Sequence, residues 1–363
     1  MSEIKVNSIK GVGASTAAIT VNNTDGTCTA NITNNLSNRN LIINGAMQVA
    51  QRGTSSTSAG YQTVDRFTTS MAGTDEACTF AQVDVTADTD PWNLGFRKAF
   101  KVTNGNQTSG AGASDDLSLR QNIEAQNISN SGWDYTSSSS FITLSFWVKS
   151  SVAQTFYTGF RIYGSDQREY CFSYALSANT WTKVTKSIPG ADGNSILNSN
   201  ALGAFIQWPL WWGTDFTSSG RAVDTWQVKN NASNYPDNTS TWYTTNDATF
   251  EITGIQLEVG SVATDFEHRS YAQELALCQR YYHELDATNW FNLIEKGSTY
   301  RRLRYEFPVT MRATPTVSNA AGTNNGSNGS PSGTQHGSTK KITFHWDSPG
   351  LVYLNTAEFS AEL

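Results

Sequence analysis

The sequence predicts an all-β protein built around an antiparallel sandwich, and three observations lead to that class. Aromatic residues make up 12% of the 363 residues and charged residues only 15%, a balance that favours strands over charged surface helices. Apolar and polar residues alternate at period two in "FITLSFWVK" (141–149) and "YCFSYAL" (170–176), as in half-buried strands. Gly, Asn, Asp and Ser clusters separate such stretches without a fixed-period repeat, so a single sandwich of about 230 residues is the simplest architecture.

The first segment in chain order, residues 1–38, has a composition of its own. It is rich in Gly, Ala, Thr and Asn and has no aromatic residue. Its isolated β-branched residues are too sparse to bury a core alone, so the segment is either disordered or ordered by neighbours, including copies of itself. The residues that we predict for attachment to a partner and for oligomerisation are Ile4, Val6, Ile9, Ile19 and Val21.

The sandwich, residues 39–269, ends in a strand that breaks phase. In "ATFEITGIQLEV" (248–259) the apolar alternation runs up to Ile252, Gly254 interrupts it, and it resumes at Ile255 on the other phase. One extra residue in a strand reverses the faces of all residues that follow. The sequence therefore predicts a β-bulge at Gly254.

A short amphipathic helix is predicted next, within residues 270–287. Ser270 and Gln273 have the Ser-x-x-Gln spacing of a capping box. Apolar residues then recur every three or four positions, which predicts about four helical turns. This face either packs against its own sandwich or meets the same face in copies of the chain. The candidate interface residues are Leu275, Cys278, Tyr282 and Leu285.

Residues 288–363 are predicted to form a smaller C-terminal β domain. The stretches "YEFPVTMRATPTVS" (305–318) and "KKITFHWDSPGLVYLNT" (340–356) have the composition of strands, and the prolines confine parts of the first to a sheet edge. The stretch between them is rich in Gly, Asn and Ser, which predicts an exposed loop.

The net charge and the motif content of the sequence exclude several classes of function. The formal net charge is −6, and the basic residues Arg301, Arg302 and Arg304 alternate with apolar ones, so we expect no nucleic-acid partner. No apolar stretch is long enough to cross a bilayer, so we expect no membrane insertion. The cysteines have no CxxC spacing, and GxSxG, HExxH and P-loop motifs are absent. We therefore expect no metal site, no cofactor, no catalytic residues and no enzymatic activity.

An aromatic cluster provides the candidate binding residues. Flat rings beside amide and carboxylate groups suit sugars, because the C–H face of a sugar stacks on the ring while its hydroxyls form directed hydrogen bonds. Trp211 and Trp212 are adjacent, so a strand would send them to opposite faces and expose at least one. The alternative is that these rings belong to the sandwich core. The candidates for carbohydrate binding are Trp208, Trp211, Trp212, Asp215, Trp226, Tyr235 and Trp242.

Four motifs carry a resemblance to a known family, and they occur in that family's order. They are "NLIINGAMQVAQRG" (40–53), "SFWVKSS" (145–151), "TWTKVTKSIPG" (180–190) and "GIQLEVGSVATDFEHRSYAQELALCQRYY" (254–282). Together they resemble bacteriophage tail-fibre and appendage proteins, virion fibres with a carbohydrate-binding-type, galactose-binding-like jelly roll. The resemblance implies that the sandwich is an antiparallel jelly roll whose first and last strands pair.

The resemblance also implies a function. We expect a structural virion fibre, a tail fibre or similar phage appendage, synthesised in the host cytoplasm and located in the virion. Residues 1–38 would be its extended virion-attachment segment, other virion proteins of the tail, neck or capsid its partners, and a homotrimer its assembly. The expected activity is host-surface recognition by binding a cell-surface glycan. The alternatives are a purely structural head, neck or tail appendage without receptor binding, and a glycan-degrading, tailspike-like enzyme.

Overall fold

The computed structural model describes residues 6–10, 12, 19–21, 28–30, 39–285, 295–296, 300–324, 327–328, 330–335, 337–347 and 352–363. The strands, in chain order, are β1 (Ser8–Ile9), β2 (Ile19–Val21), β3 (Cys28–Ala30), β4 (Ser55–Ser56), β5 (Phe67–Ala72), β6 (Thr79–Asp84), β7 (Lys98–Thr103), β8 (Asp116–Glu124), β9 (Phe141–Ser150), β10 (Gln154–Tyr163), β11 (Gln167–Leu176), β12 (Thr182–Pro189), β13 (Leu202–Trp212), β14 (Trp226–Val228), β15 (Thr249–Val259), β16 (Tyr282–Leu285), β17 (Glu295–Lys296), β18 (Arg301–Glu306), β19 (Thr316–Asn324), β20 (Ser327–Asn328), β21 (Gly333–Gln335), β22 (Lys341–Trp346) and β23 (Val352–Ser360). The helices of these residues are α1 (Asp90–Asn93), α2 (Ala125–Ser129) and α3 (Tyr271–Gln279). Within the described ranges, no helix has the length and apolar character to cross a membrane.

Two six-stranded antiparallel sheets form the sandwich. The front sheet has the strand order β14-β11-β10-β13-β8-β5, and the back sheet has the order β12-β9-β15-β7-β6-β4. Strands far apart in sequence are neighbours: β8 pairs with β13 on one side and with β5 on the other. Such crossing connections between two packed sheets are typical of a jelly roll. The predicted all-β class and its antiparallel jelly-roll sandwich are confirmed.

Aromatic side chains fill the space between the two sheets. Phe146 of the back sheet makes edge-to-face contacts with Trp208 and Tyr174 of the front sheet, at ring-centroid distances of 5.7 and 5.5 Å. Phe146 and Trp208 are fully buried. Burial of a large apolar side chain contributes about 1.5 to 3 kcal/mol, so this layer holds the front sheet firmly against the back sheet.

The last strand of the sandwich, β15, contains the predicted bulge. Its register against β9 shifts between Thr253 and Gln256. Gly254 has a φ of +63°, in the left-handed region that other residues adopt only at a cost. The pairing of β15 with β7 extends as far as Ile252 and stops there. The sequence prediction of a bulge at Gly254 is confirmed.

Beyond the bulge, β15 bonds to residues 40–45, which we call the closing segment. Leu41 N donates to Leu257 O at 2.9 Å, and Ile255 N donates to Gly45 O at 3.0 Å. After the pairing of β7 with β15 ends at Ile252, the closing segment at the start of the sandwich pairs with the same edge of β15. This is the pairing of the first and last parts of the jelly roll that the resemblance implies.

The helix after the sandwich begins as predicted and ends earlier. Ser270 Oγ accepts from Gln273 N at 3.3 Å, and Gln273 Oε1 accepts from Ser270 N at 3.0 Å, which is the predicted capping box. The helix ends at Gln279 after nine residues, so the predicted four turns are wrong in their second half. Tyr282 and Leu285 lie on β16, which pairs with β23. Sheet pairing and burial override the helical spacing of these residues.

The candidate interface on the helix is buried inside the chain. Cys278 packs against Ile43 of the sandwich, and Leu275 lies partly buried at the same cluster. Tyr282 and Leu285 are buried as well. Cys278, Tyr282 and Leu285 therefore pack within the chain, which is the other alternative, whereas contact of the partly exposed Leu275 with copies of the chain stays a prediction.

The described residues of the C-terminal domain form two four-stranded antiparallel sheets. Their strand orders are β16-β23-β19-β20 and β17-β18-β22-β21. The domain has an apolar core of its own, in which Leu303, Phe344, Leu354 and Phe359 are fully buried. Because β16 belongs to the first of these sheets, the C-terminal fold already includes residues before position 288.

The N-terminal residues that the structure describes form a small antiparallel sheet of order β1-β2-β3. Val6 and Ile9 are 46% and 53% exposed. Ile19 and Val21 are partly buried, and Ile4 lies outside the described residues. The predicted attachment and oligomerisation role of these five residues stays a prediction.

A charged seam joins the two β domains; we define it by Arg66, Glu124, Arg280, Tyr281 and Glu362. Arg280 donates from Nε and Nη2 to the two carboxylate oxygens of Glu124, at 2.9 Å each, and the Tyr281 hydroxyl donates to the same carboxylate. Arg66 pairs with Glu362 and lies 3.4 Å from the centre of the Tyr281 ring. Burial alone would raise the pKa of Glu124, but the hydrogen bonds from Arg280 and Tyr281 outweigh it and lower this pKa.

We predict that Gly254→Val lowers the free energy of unfolding by about 1 to 3 kcal/mol through backbone strain. A further loss is expected because a Cβ at this position would lie 2.7 Å from the Phe96 ring. Chemical denaturation measures the effect. The control is Gly132→Val, where φ is +85° and no atom lies within 4 Å of the added Cβ, so that only the strain remains. An unchanged unfolding free energy for Gly254→Val would contradict the importance of the bulge.

We predict that Glu124→Gln lowers the unfolding free energy at neutral pH by about 2 to 4 kcal/mol, because Arg280 loses its buried anionic partner. Since the folded pKa of Glu124 lies below its ordinary value of 4.5, this stabilisation is present above that pH and is lost as the pH falls through the folded pKa. The difference between wild type and variant should therefore shrink in acid. Glu306→Gln, which breaks the exposed pair with Arg304, is the control, with an expected effect of about 0 to 1 kcal/mol. A difference that does not change with pH would contradict the assignment.

Candidate functional site

The outer face of the front sheet forms a cleft across β5, β8, β13 and β10. Alternate residues of these strands enter the core, and the others face outward. Arg120 of β8 thereby lies opposite Gln207 of β13 and Thr68 of β5. The cleft has a volume of about 220 Å³. Its lining residues are Thr68, Thr69, Ser70, Ser118, Arg120, Arg161, Phe205, Gln207 and Trp212.

The chain between β13 and β15 covers one side of the cleft. Tyr235 of this connection is fully buried, and its ring lies edge-on to Trp212 at 5.0 Å. Its hydroxyl donates to Gln207 Oε1 at 3.5 Å. A Cβ on Gly159 of β10 would lie 2.4 Å from the Tyr235 hydroxyl, so the connection rests directly on the bare backbone of that strand. Trp212 is held in place at the boundary.

The C-terminal domain contacts the front sheet next to the cleft. Asn122 follows Arg120 on the outward face of β8, and its Nδ2 donates to Leu363 O at 2.8 Å. The Tyr61 hydroxyl donates to the same carbonyl at 3.2 Å. The charged seam lies just beyond, since Glu124 is the next outward residue of β8. The C-terminal domain is therefore held beside the cleft, whose lining residues belong to the sandwich.

Hydrogen bonds fix the polar side chains around the cleft. Gln207 Nε2 donates to Ser118 Oγ at 2.8 Å. Arg161 Nη2 donates to Glu169 Oε2 at 3.0 Å and to Asn234 Oδ1 at 2.8 Å. Groups held in this way need little reorganisation when they bind a ligand.

Two arginine side chains flank the ring of Phe205. The guanidinium carbons of Arg120 and Arg161 lie 5.0 and 4.9 Å from the ring centre, within the range of cation–π attraction. Phe205 is 1% exposed, so its ring is covered. Arg161 is paired with Glu169, whereas Arg120 is partly exposed and forms no ion pair or hydrogen bond with any residue that the structure describes. Arg120 is thus the free cation of the cleft.

Most of the aromatic candidates belong to the core. Trp208, Tyr235 and Trp242 are fully buried, and Trp211 is 7% exposed. Direct contact between these four side chains and a glycan is therefore excluded, and their predicted role is wrong.

A second bulge explains the burial of Trp211. The register of β13 against β8 shifts between Pro209 and Trp211, so Leu210 is an extra residue in the strand. The shift returns Trp211 to the core face that Trp208 already occupies, where it stacks on Tyr243 at 5.5 Å. No glycine marks this bulge in the sequence.

The three remaining candidates differ in their surroundings. Trp212 is partly exposed and lines the cleft, which agrees with the expectation that one of two adjacent tryptophans is exposed. Trp226 packs edge-on against Tyr170 at 5.6 Å and donates from Nε1 to Pro189 O at 2.8 Å, so it covers an edge of the core. Asp215 is exposed and does not line the cleft. Of the predicted set, Trp212 alone lines the cleft.

Seven polar residues of the cleft were not among the predicted candidates: Thr68, Thr69, Ser70, Ser118, Arg120, Arg161 and Gln207. Their signal is polar residues alternating with apolar ones, as in "DLSLRQNIE" (116–124) and "TFYTGFRIY" (155–163). This alternation shows which residues face away from the core. It does not show that β8, β13 and β10 are neighbours, so the meeting of these side chains could not be predicted.

The described part of the chain has no metal-binding cluster, and three of its cysteines are buried. There, no group of three or more His, Cys, Asp or Glu side chains is placed to hold a metal ion. Cys78, Cys171 and Cys278 are buried free thiols, and burial raises the pKa of each. Thiols of this kind are poor nucleophiles at neutral pH.

Comparisons with known proteins concern structure alone. No family model matches the chain, and no curated protein matches it. Among solved structures, a family 16 carbohydrate-binding module is 14% identical, with 49% of this chain and 84% of that chain covered and a TM-score of 0.25. A family 11 carbohydrate-binding module of a cellulosomal cellulase from Clostridium thermocellum is 11% identical, with 61% and 100% covered and a TM-score of 0.28. The N-terminal cellulose-binding domain of β-1,4-glucanase C from Cellulomonas fimi is 12% identical, with 59% and 99% covered and a TM-score of 0.28. Likeness at this level establishes neither a ligand nor a binding site for this chain.

Proposed function

We propose that this chain is a carbohydrate-binding protein that holds a short stretch of a glycan in the cleft. The observation that carries the proposal is the placement of a partly exposed indole, Trp212, beside outward-facing hydroxyl, amide and guanidinium groups on one rigid sheet. A sugar ring offers an apolar C–H face to the indole and hydroxyl groups to the polar side chains. The cleft supplies both kinds of contact.

The polar side chains of the cleft keep hydrogen-bonding capacity for a ligand. Ser118 and Gln207 are 2% and 5% exposed and hydrogen-bond each other, so they support the floor of the cleft, while the exposed Ser70 offers a hydroxyl at its edge. Arg120 contributes a planar fork of N–H donors. Directed donors of this kind recognise the oxygen atoms of sugars.

The size of the cleft suits a short glycan segment. Its volume of about 220 Å³ is below the roughly 300 to 1,000 Å³ of typical small-molecule pockets. With strands about 4.8 Å apart, the distance from β5 to β10 is about 14 Å, which accommodates about two sugar rings across the strands. The proposed ligand is therefore a part of a longer chain or its end.

The lining of the cleft favours binding without cleavage. Glycosidases use two carboxyl groups about 5 to 9.5 Å apart around the bond that breaks. Among the residues that the structure describes, the charged side chains that line this cleft are Arg120 and Arg161, and no Asp or Glu lines it. This lining supports the proposal of a non-catalytic protein.

We place this activity in a phage virion fibre. The support is the motif resemblance together with the exposed Val6 and Ile9 of the N-terminal segment, which are suited to contact further copies or other virion proteins. Several identical sites on one fibre would raise avidity by about 10² to 10⁴. A weak single site would then suffice for adhesion to a host surface.

Binding of variants to a glycan array, followed by calorimetry on the glycans that bind, tests the proposed activity. We expect Trp212→Ala to weaken binding by about tenfold or more in protein that remains folded by circular dichroism, because a stacking contact is lost; the melting temperature should fall as the contact with Tyr235 is removed. Trp181→Ala removes a partly exposed tryptophan beside the back sheet and should leave the affinity unchanged. Loss of binding in Trp181→Ala with normal binding in Trp212→Ala would move the site out of the cleft. Chromatography of the incubated glycan should show no shortening.

Light scattering tests the proposed assembly. The full chain should have three times the mass of one chain. Because the helix face is buried, the contacts are expected in the N-terminal segment, so combined Val6→Asp and Ile9→Asp should yield monomers. Val228→Asp, at an exposed valine of the sandwich, is the control and should keep the trimer. A monomeric wild type would contradict the fibre assembly.

A further inference from the structure

We propose that the cleft selects glycans that carry an anionic group, a carboxylate or a sulfate on a sugar ring, and that Arg120 binds this group. The inference rests on the proposed function and specifies its ligand class. Three observations support it. They are the charges around the cleft, the lack of an ion pair or hydrogen bond between Arg120 and any described residue, and the position of Asp116 at the edge of the cleft.

The surroundings of the cleft hold an excess of positive charge. Glu169 is fully buried, and its carboxylate lies 3.0 Å from the Arg161 guanidinium and 3.7 Å from the Arg221 guanidinium. One negative charge is therefore paired with two positive charges. Arg120 adds a third positive charge at the cleft surface. The chain as a whole carries a formal charge of −6, so this excess is a local feature.

Arg120 is free to bind and is placed beside another cation. It is partly exposed and has no ion pair or hydrogen bond with a described residue. Since Arg120 and Arg161 lie 5.0 and 4.9 Å from the centre of the same ring, their charges are within about 10 Å of each other and repel. An anion bound to Arg120 relieves this repulsion. The planar guanidinium matches the two oxygens of a carboxylate or sulfate.

The acidic rim residue orients the ligand. Asp116 lies opposite Trp212 in the sheet and contacts Ser70 of the cleft. Asp116 precedes Arg120 by four positions along β8, a distance of about 13 Å. An anionic group is therefore repelled at the Trp212 end and attracted at the Arg120 end. The bound glycan would place an uncharged ring on the indole and its acidic ring on the arginine.

Matched pairs of glycans test the selectivity. A glycan array with neutral and acidic members identifies the sugars that bind. Calorimetry then compares oligogalacturonate with its methyl ester, and a sulfated galactan oligosaccharide with its desulfated form. We expect the charged member of at least one pair to bind about tenfold or more tightly, and its affinity to fall as salt is added. The pair that shows the effect identifies the anionic group.

Variants of Arg120 assign the effect to this residue. Arg120→Gln should abolish the preference by weakening the charged member far more than the neutral one, so that the two bind with equal affinity, with an unchanged melting temperature. Arg120→Lys keeps the charge without the planar fork and should keep part of the preference. Arg97→Gln removes an exposed arginine near Trp92 and serves as the control that binds like wild type.

The outcomes separate this inference from the proposed function. Equal binding of charged and neutral members, array hits that are all neutral, or a preference that survives in Arg120→Gln would overturn the selectivity, while Trp212-dependent binding would leave the glycan-binding function standing. Absence of binding to every glycan on the array would overturn both.

Discussion

The left-handed backbone of Gly254 is the constraint on which the rest of the sandwich depends. The ring of Phe96 occupies the space that a side chain would need there. The bulge ends the pairing of β15 with β7 and lets the closing segment, residues 40–45, take the free edge. The chain then leaves the strand at a fixed place, where Arg269 Nη1 donates to Ile42 O of the closing segment at 3.1 Å. The closing segment, which completes the jelly roll, therefore also fixes the residue that precedes the helix.

The helix in turn brings the C-terminal domain to one end of the front sheet. The charged seam there includes the fully buried Glu124. Desolvation of two charges offsets much of their attraction, so such a seam contributes more to defined geometry than to stability. It fixes Leu363 against Asn122, whose neighbour on the outward face of β8 is Arg120. The cleft itself is built by the sandwich, and the C-terminal domain is fixed beside it.

Local signals predicted local structure, and non-local pairing decided the rest. The phase break at Gly254 and the capping box before α3 depend on a few adjacent residues, so both were predictable. The early end of the helix depends on the pairing of β16 with β23, about 75 residues later in the chain. The burial of Trp211 depends on a bulge without a glycine. In the candidate site, the exposure of Trp212 was predictable from its adjacency to Trp211. For Arg120, the alternation of polar and apolar residues in β8 predicted only that its side chain faces away from the core.

The most direct test of the central claim, that the cleft holds the glycan, is an NMR titration that follows the indole N–H signals of the 11 tryptophans. The indole nitrogen of Trp212 is buried, but the ring lines the cleft, so a sugar that stacks on this ring should change the surroundings of the N–H group and shift its signal. The signals of Trp147 and Trp181, which pack beside the back sheet, should stay unchanged. A shift of these two signals without a shift of Trp212 would place the glycan on the other face of the sandwich and contradict the claim.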